Sequence, residues 1–276
     1  MGLRINTNTE AFNSHRQLVR NSSALAKSME KLSSGFRINR AADDAAGLGI
    51  SEKMRAQING VAQAQRNAQD GMSLVQTAEG ALQEFHSILH RIRDLAVQFN
   101  NGIYDNASKA AITSEVAQLS AELGRLISVA QFNGIPLLAG NLVTNPIMAT
   151  LQVGANNGEV MTLGAVDGFA TVSGSVANFA NAAPNAYIDI NEINAAIERV
   201  STVRATFGAI QNRLEHTVNS LAVYQENLQA AESRIRDVDM AQEMTTFTRM
   251  QILQQASTAM LAQANQAPQS VLSLLQ

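Results

Sequence analysis

Residues 193–238 read INAAIERVSTVRATFGAIQNRLEHTVNSLAVYQENLQAAESRIRDV. Apolar side chains recur every seven residues, at Ile193, Val200, Phe207, Leu214, Leu221, Leu228 and Ile235. Three residues after each stands a companion series, Ala196, Val203, Ile210, Thr217, Tyr224, Ala231 and Val238, in which only Thr217 breaks the pattern. This alternation of threes and fours puts both series on one face of an α-helix, the a and d positions of a coiled coil. At 1.5 Å per residue the helix is roughly 70 Å long, which predicts a rod.

Working outward, the stretch after Asp43 and Asp44 repeats the pattern at Met54, Val61, Ala68, Val75, Leu82, Leu89 and Ala96. A neighbouring seam of Leu74, Ala78, Ala81, Phe85, Ile88, Ile92, Leu95 and Phe99 widens its apolar face, so this helix must touch more than one partner. Past the turn at Asn100-Asn101-Gly102, Ile112, Val116, Leu119, Leu123, Leu126 and Ala130 supply a third helix, and the three form an antiparallel bundle. Heptads vanish between 131 and 189, where Gly, Asn, Thr, Val and proline collect. Residues 148–153 and 159–163 read as a β-hairpin joined by Gly154-Ala155-Asn156-Asn157-Gly158, whose Asn and Gly supply positive φ. Residues near 164–189 read as a short loop without the apolar mass for its own core.

Both ends carry narrower stripes. Leu18, Ser22, Leu25, Met29 and Leu32 form one, stopped by Ser33-Ser34-Gly35, and Met250, Leu253, Ser257, Met260, Ala264, Ala267, Val271 and Leu274 form the other. A helix with so small an apolar face is marginal alone in water, so these stripes are expected to find burial among other copies of the chain.

Composition excludes several functions. Over 276 residues, 20 Lys and Arg against 23 Asp and Glu give a net charge of -3, which offers no field for nucleic acid or anionic lipid. The absence of Cys removes disulfides, thiolate metal sites and cysteine nucleophiles. No apolar run suits a membrane span, and the first residues lack the apolar core of a cleaved secretory signal, so export is expected by another route. His86 and His90 stand at the spacing of two metal ligands, but Ser87 replaces the Glu of a metalloprotease helix and no third ligand is evident, so no metal is expected. His15 and His216 read as solvated helix positions. Gly47-Leu48-Gly49 lacks the third glycine of a dinucleotide loop and reads as a place of close helix contact. The acidic pairs Asp43-Asp44 and Asp237/Asp239 sit at helix boundaries and read as caps, so no catalytic residue and no cofactor is expected. Periodicity alone leaves a cytoplasmic scaffold and a filament subunit equally open.

The stretch MEKLSSGFRINRAADDAAGL, residues 29–48, resembles the N-terminal signature of bacterial flagellins. The resemblance continues through Asn67-Ala68-Gln69-Asp70-Gly71, residues 76–82 (QTAEGAL) and Gln131-Phe132-Asn133-Gly134, then through residues 232–239 (ESRIRDVD) and 263–272 (QANQAPQSVL). It covers roughly 1–165 and 190–276, with the family's large central insertion nearly absent.

This resemblance implies a structural subunit that polymerises into the extracellular flagellar filament. Residues 1–42 and 237–276 would be the two parts of an inner-tube module, and 43–236 a helical bundle with its β-hairpin near 134–165. The assembly seams would run through Leu18, Leu25, Met29, Leu32, Met250, Leu253, Met260, Val271 and Leu274. Implied partners are identical subunits, a flagellar export chaperone near 240–276, and cap and junction proteins, with passage through a type III apparatus. Members detected by a Toll-like receptor present residues that fall at Arg91, Leu95 and Glu115 here, with His90 in place of the usual Gln. A hook-filament junction protein of the same superfamily is the alternative.

Overall fold

The computed structural model of the chain describes residues 7–138, 147–164, 176–183 and 186–274; the side chains at 147, 148, 164 and 267–274 lie outside that description. In chain order the elements are α1 (Thr9–Ser34), α2 (Ala45–Phe99), α3 (Asn106–Val129), β1 (Gln131–Phe132), β2 (Ile135–Pro136), β3 (Ile147–Gln152), β4 (Val160–Gly164), a short α4 (176–180), α5 (Ile190–Arg236) and α6 (Met240–Leu274). The expected class holds: a mainly helical protein with a small β region. Two compact units divide the chain, one of Met1–Ala56 with Asn227–Gln276, the other Gln57–Glu226.

In the second unit one apolar core joins α2, α3, α5 and the β3–β4 hairpin. Both seams of α2 turn inward: Val75, Leu82, Phe85, Leu89, Ile92, Ala96 and Phe99 are fully buried. Helix α3 adds Ile112, Val116 and Leu123, and α5 adds Ile193, Val200, Phe207, Ile210 and Leu214. Pairings fix the directions. Arg91 meets Glu115, and the Lys109 ammonium sits 5.3 Å from the Phe99 ring centre, so α3 runs antiparallel to α2. Asn100 exchanges two hydrogen bonds with the Ile188 backbone while Arg204 lies 3.7 Å from Glu79, so α5 is antiparallel to α2 as well. Asp105 caps α3 by accepting from the Ser108 N–H at 3.0 Å.

The hairpin forms where it is expected, with Thr150 opposite Thr162 and Leu151 opposite Met161. Of its loop residues only Gly158 takes a positive φ, at 91°. Asn156 instead donates from its backbone and side-chain nitrogens to the Glu159 carboxylate, both at 2.9 Å, and this lowers the Glu159 pKa. Small residues on α2 seat the hairpin. A methyl group on Gly60 would meet Ala155 Cβ at 2.9 Å, and one on Gly71 would run into a Leu151 methyl. Asn67 between them donates to the Gln152 carbonyl at 3.0 Å. A second, tighter hairpin pairs β1 with β2 across Asn133 and Gly134, whose φ values of 48° and 79° are those of a two-residue turn.

Candidate assembly surface

The terminal helices pair with each other in antiparallel fashion. Asn8 Nδ2 donates to the Ala264 carbonyl at 2.7 Å, Asn21 Nδ2 to Ser257 Oγ at 2.9 Å, and Ser28 Oγ to Glu243 at 2.5 Å, so advance along α1 means retreat along α6. Asn8 also caps α1 through the Ala11 N–H, and Gly35, with φ 74°, ends it. The inward row of α1 is Ala11, Ser14, Leu18, Asn21, Leu25, Ser28 and Leu32; that of α6 is Glu243, Phe247, Met250, Gln254, Ser257, Leu261 and Ala264. Every second position of the α1 row is polar or small at heptad spacing, so hydrogen bonds pin the interface between its leucines. Buried polar groups of this kind fix the register of paired helices at some cost in stability.

The expected seam residues therefore divide between two faces. Leu18, Leu25, Leu32 and Met250 lie half-buried between α1 and α6. Met29, Leu253 and Met260 point outward and are exposed. Val271 and Leu274 belong to α6, with side chains outside the described residues. On α1 the outward residues form a second row one step round from the first, Phe12, His15, Val19, Ser22, Ala26 and Met29, in which Phe12 is 71% exposed. On α6, Met240, Met244, Ile252, Leu253 and Met260 do the same. Met244, Thr245, Thr248, Arg249, Ile252 and Leu253 line a shallow, largely apolar groove of about 480 Å³. Large apolar side chains at 41–71% exposure thus stand on adjoining turns of α1 and α6.

Of the stretches that carry the resemblance, 29–48 and 232–239 meet where the chain passes between helices. Phe36 and Asp237 form an antiparallel bridge, with Arg37 N–H donating to the Arg236 carbonyl at 2.7 Å and Val238 N–H to the Gly35 carbonyl at 3.0 Å. Arg236 lies 5.0 Å from the Phe36 ring centre and donates to Glu52 at 2.7 Å, which lowers the Glu52 pKa. Ser51, fully buried, donates to Glu232 at 3.1 Å. Asp43 does not cap a helix. It accepts from Lys27 at 2.7 Å and from the Arg40 and Asn39 N–H groups, and these donors, Lys27 first, hold its pKa at about 2. Asp44 is the cap, accepting from Gly47 N–H at 2.9 Å. Gly47 is glycine because a Cβ there would collide with that carboxylate and with Ile38, so the expected helix contact is replaced by a capping requirement. Asp239 caps α6 through the Ala241 and Gln242 N–H groups.

Elsewhere, Arg91 donates twice to Glu115, at 2.9 and 2.6 Å, on an exposed face, while Leu95 belongs to the core at 2% exposure. The Nε2 atoms of His86 and His90 are 2.9 Å apart, sharing a hydrogen bond. Burial, then the nearby His90 and Arg204, lower the His86 pKa. Among the described residues no three groups are placed to hold a metal ion, and no helix is long and apolar enough to cross a membrane. Sequence reasoning did not find the buried Ser28 and Ser51, because a serine in a heptad reads as a gap until its partner carboxylate is known.

Paired terminal helices with a hydrogen-bonded inner seam and large apolar side chains left outward are the layout of a structural protein, and the comparisons with known proteins agree. Residues 5–142 match the model of the bacterial flagellin N-terminal helical region and residues 190–275 that of the C-terminal helical region. A flagellin of Halalkalibacterium halodurans is 54% identical over 98% of this chain and 99% of its own length. The flagellar filament 31.3 kDa core protein of Treponema maltophilum is 50% identical over 99% of each. A solved structure of a putative flagellar hook-associated protein from Vibrio parahaemolyticus shares the fold, with a TM-score of 0.58 at 15% identity over 71% of this chain and all of that one. The chain belongs to the bacterial flagellin family, whose members are structural proteins of the flagellar filament.

Proposed function

We propose that this flagellin builds the extracellular filament by laying the outward faces of α1 and α6 against the terminal helices of identical neighbours. The contact is heterologous and repeats along a helical lattice without closing. The observation that supports it is the placement of Phe12, Val19, Met29, Ile252, Leu253 and Met260 on the outside of a helix pair whose inside is held by hydrogen bonds. Residues 1–42 and 237–276 then form the inner tube and 43–236 the surrounding layer, with no catalysis. Subunits leave the cell through the flagellar type III apparatus, with a chaperone holding residues near 240–276 until export, and meet cap and junction proteins at the filament ends. Arg91 and Glu115 form the face offered to a Toll-like receptor, with Leu95 in the core.

Deleting 1–32 or 250–276 tests the assembly reading. The truncated chains are expected to stay helical by circular dichroism and to add nothing to filament seeds, as counted by electron microscopy. Normal elongation by either chain would overturn it.

A further inference from the structure

The chain contains neither Cys nor Trp, so methionine is its chief target for two-electron oxidants. The methionines are unevenly placed. Among the described residues Met29, Met240, Met244 and Met260 are exposed, at 54%, 48%, 49% and 62%, and all four stand on α1 or α6. Met54, Met72 and Met250 are half-buried, and Met161, in the hairpin, is 8% exposed. The accessible thioethers therefore coincide with the outward rows: Met29 continues the row of Phe12 and Val19, and Met244 lines the groove with Ile252 and Leu253.

We propose that Met29, Met240, Met244 and Met260 are oxidation sites through which a peroxide-class oxidant reversibly blocks filament growth. The inference rests on the assembly reading above. The sulfur lone pair attacks the distal peroxide oxygen, the O–O bond breaks, and the proton lost from that oxygen passes to the departing hydroxide, giving water. Sulfur is oxidised by two electrons to the sulfoxide and the peroxide is reduced by the same two. Each apolar contact gains a strong S=O dipole that has no partner once pressed against Phe12- or Ile252-like surfaces, so burial in a neighbour becomes unfavourable. Subunits already packed shield the same sulfurs, so free chains are the sensitive form.

The test uses the full chain with hydrogen peroxide as probe, peptide mapping by mass spectrometry and seeded elongation. Sulfoxide is expected at these four positions before Met72 and Met161, with a rise of roughly tenfold or more in the concentration needed for growth. That corresponds to about 1.4 kcal/mol per tenfold. Treatment with methionine sulfoxide reductases of both epimer specificities, with dithiothreitol supplying the two electrons and being oxidised to its disulfide while the sulfoxide oxygen leaves as water, restores growth. In the variant Met29→Leu, Met240→Leu, Met244→Leu, Met260→Leu, compared only with its own untreated rate, peroxide is expected to leave elongation unchanged. If treated wild type carrying all four sulfoxides elongates at the untreated rate, or reductase treatment restores nothing, the inference is overturned. The same holds if peroxide stops the variant as completely as wild type. Failure of untreated, folded wild type to add to seeds would instead sink the assembly reading.

Discussion

The three-helix bundle and the terminal helix pair use one periodicity in opposite ways. In the bundle the largest side chains, Phe85, Phe99, Phe207, Leu82 and Leu89, face inward and are fully buried. Between α1 and α6 the inward positions alternate Leu18, Leu25, Leu32, Phe247, Met250 and Leu261 with the polar Asn21, Ser28, Glu243, Gln254 and Ser257, while Phe12, Ile252 and Met260 face out. Both regions alternate threes and fours. The difference teaches that periodicity reports a helix face, whereas the size and polarity of its residues report whether that face is closed within the chain or left for another molecule. A subunit that must polymerise needs both kinds: one region that folds without neighbours and one whose hydrophobic gain is deferred until they arrive.

The contrast can be broken most forcibly in the bundle. Phe85→Ala removes a fully buried ring from the core and is expected to cost about 3–5 kcal/mol in urea unfolding. A cost below about 1 kcal/mol would show that the bundle core is not its anchor. In the terminal pair, Ser28→Ala leaves the Glu243 carboxylate without a donor and is expected to cost about 1–2 kcal/mol, read as faster amide exchange along α1 and α6 with α2 unchanged.

Acid sharpens the comparison further. The Asp43 pKa is held at about 2 by Lys27 and the connector N–H groups, below its ordinary 3.8. A carboxyl depressed on folding contributes stability above its unfolded pKa and loses it as pH falls through the folded one. The α1–α2 connector should therefore loosen between about pH 4 and pH 2, followed by NMR or proteolysis within residues 35–44, and Asp43→Asn should remove most of that pH dependence while weakening the connector at neutral pH. The smallest effect is expected at the exposed Arg91–Glu115 pair, where Arg91→Ala changes stability by less than about 1 kcal/mol. A loss of receptor activation in that variant would then report contact and not unfolding.

Much of this fold was legible in advance because long helices repeat their apolar positions many times. The seams of α2 and the first half of the α5 series, Ile193 to Leu214, are buried as their spacing implies. Beyond it the series stays apolar in sequence, yet Leu221, Leu228 and Ile235 are only half-buried and Tyr224 is 47% exposed. Each terminal helix reads in sequence as a single stripe, Leu18, Leu25 and Met29 on α1 and Met250, Leu253 and Met260 on α6, whereas the structure turns Leu18, Leu25 and Met250 inward and Met29, Leu253 and Met260 outward. The expected module borders at 42/43 and 236/237 follow the connectors, while the compact units part at 56/57 and 226/227, inside continuous helices that carry no sequence mark. Asn133-Gly134 is a strong turn signal by its own chemistry, and only its family resemblance was drawn from it.

By itself the sequence determined the long helices, the β3–β4 hairpin and the family, since each of these is carried by residues close together in the chain. Tertiary structure decided which of two adjoining rows on α1 faces α6, which aspartate caps α2, and which glycines seat the hairpin. The physical reason is rotational. Rows beginning at Ala11 and at Phe12 both satisfy the same spacing about 100° apart, and only the partner helix, with Ser257 and Glu243 in reach of Asn21 and Ser28, selects between them.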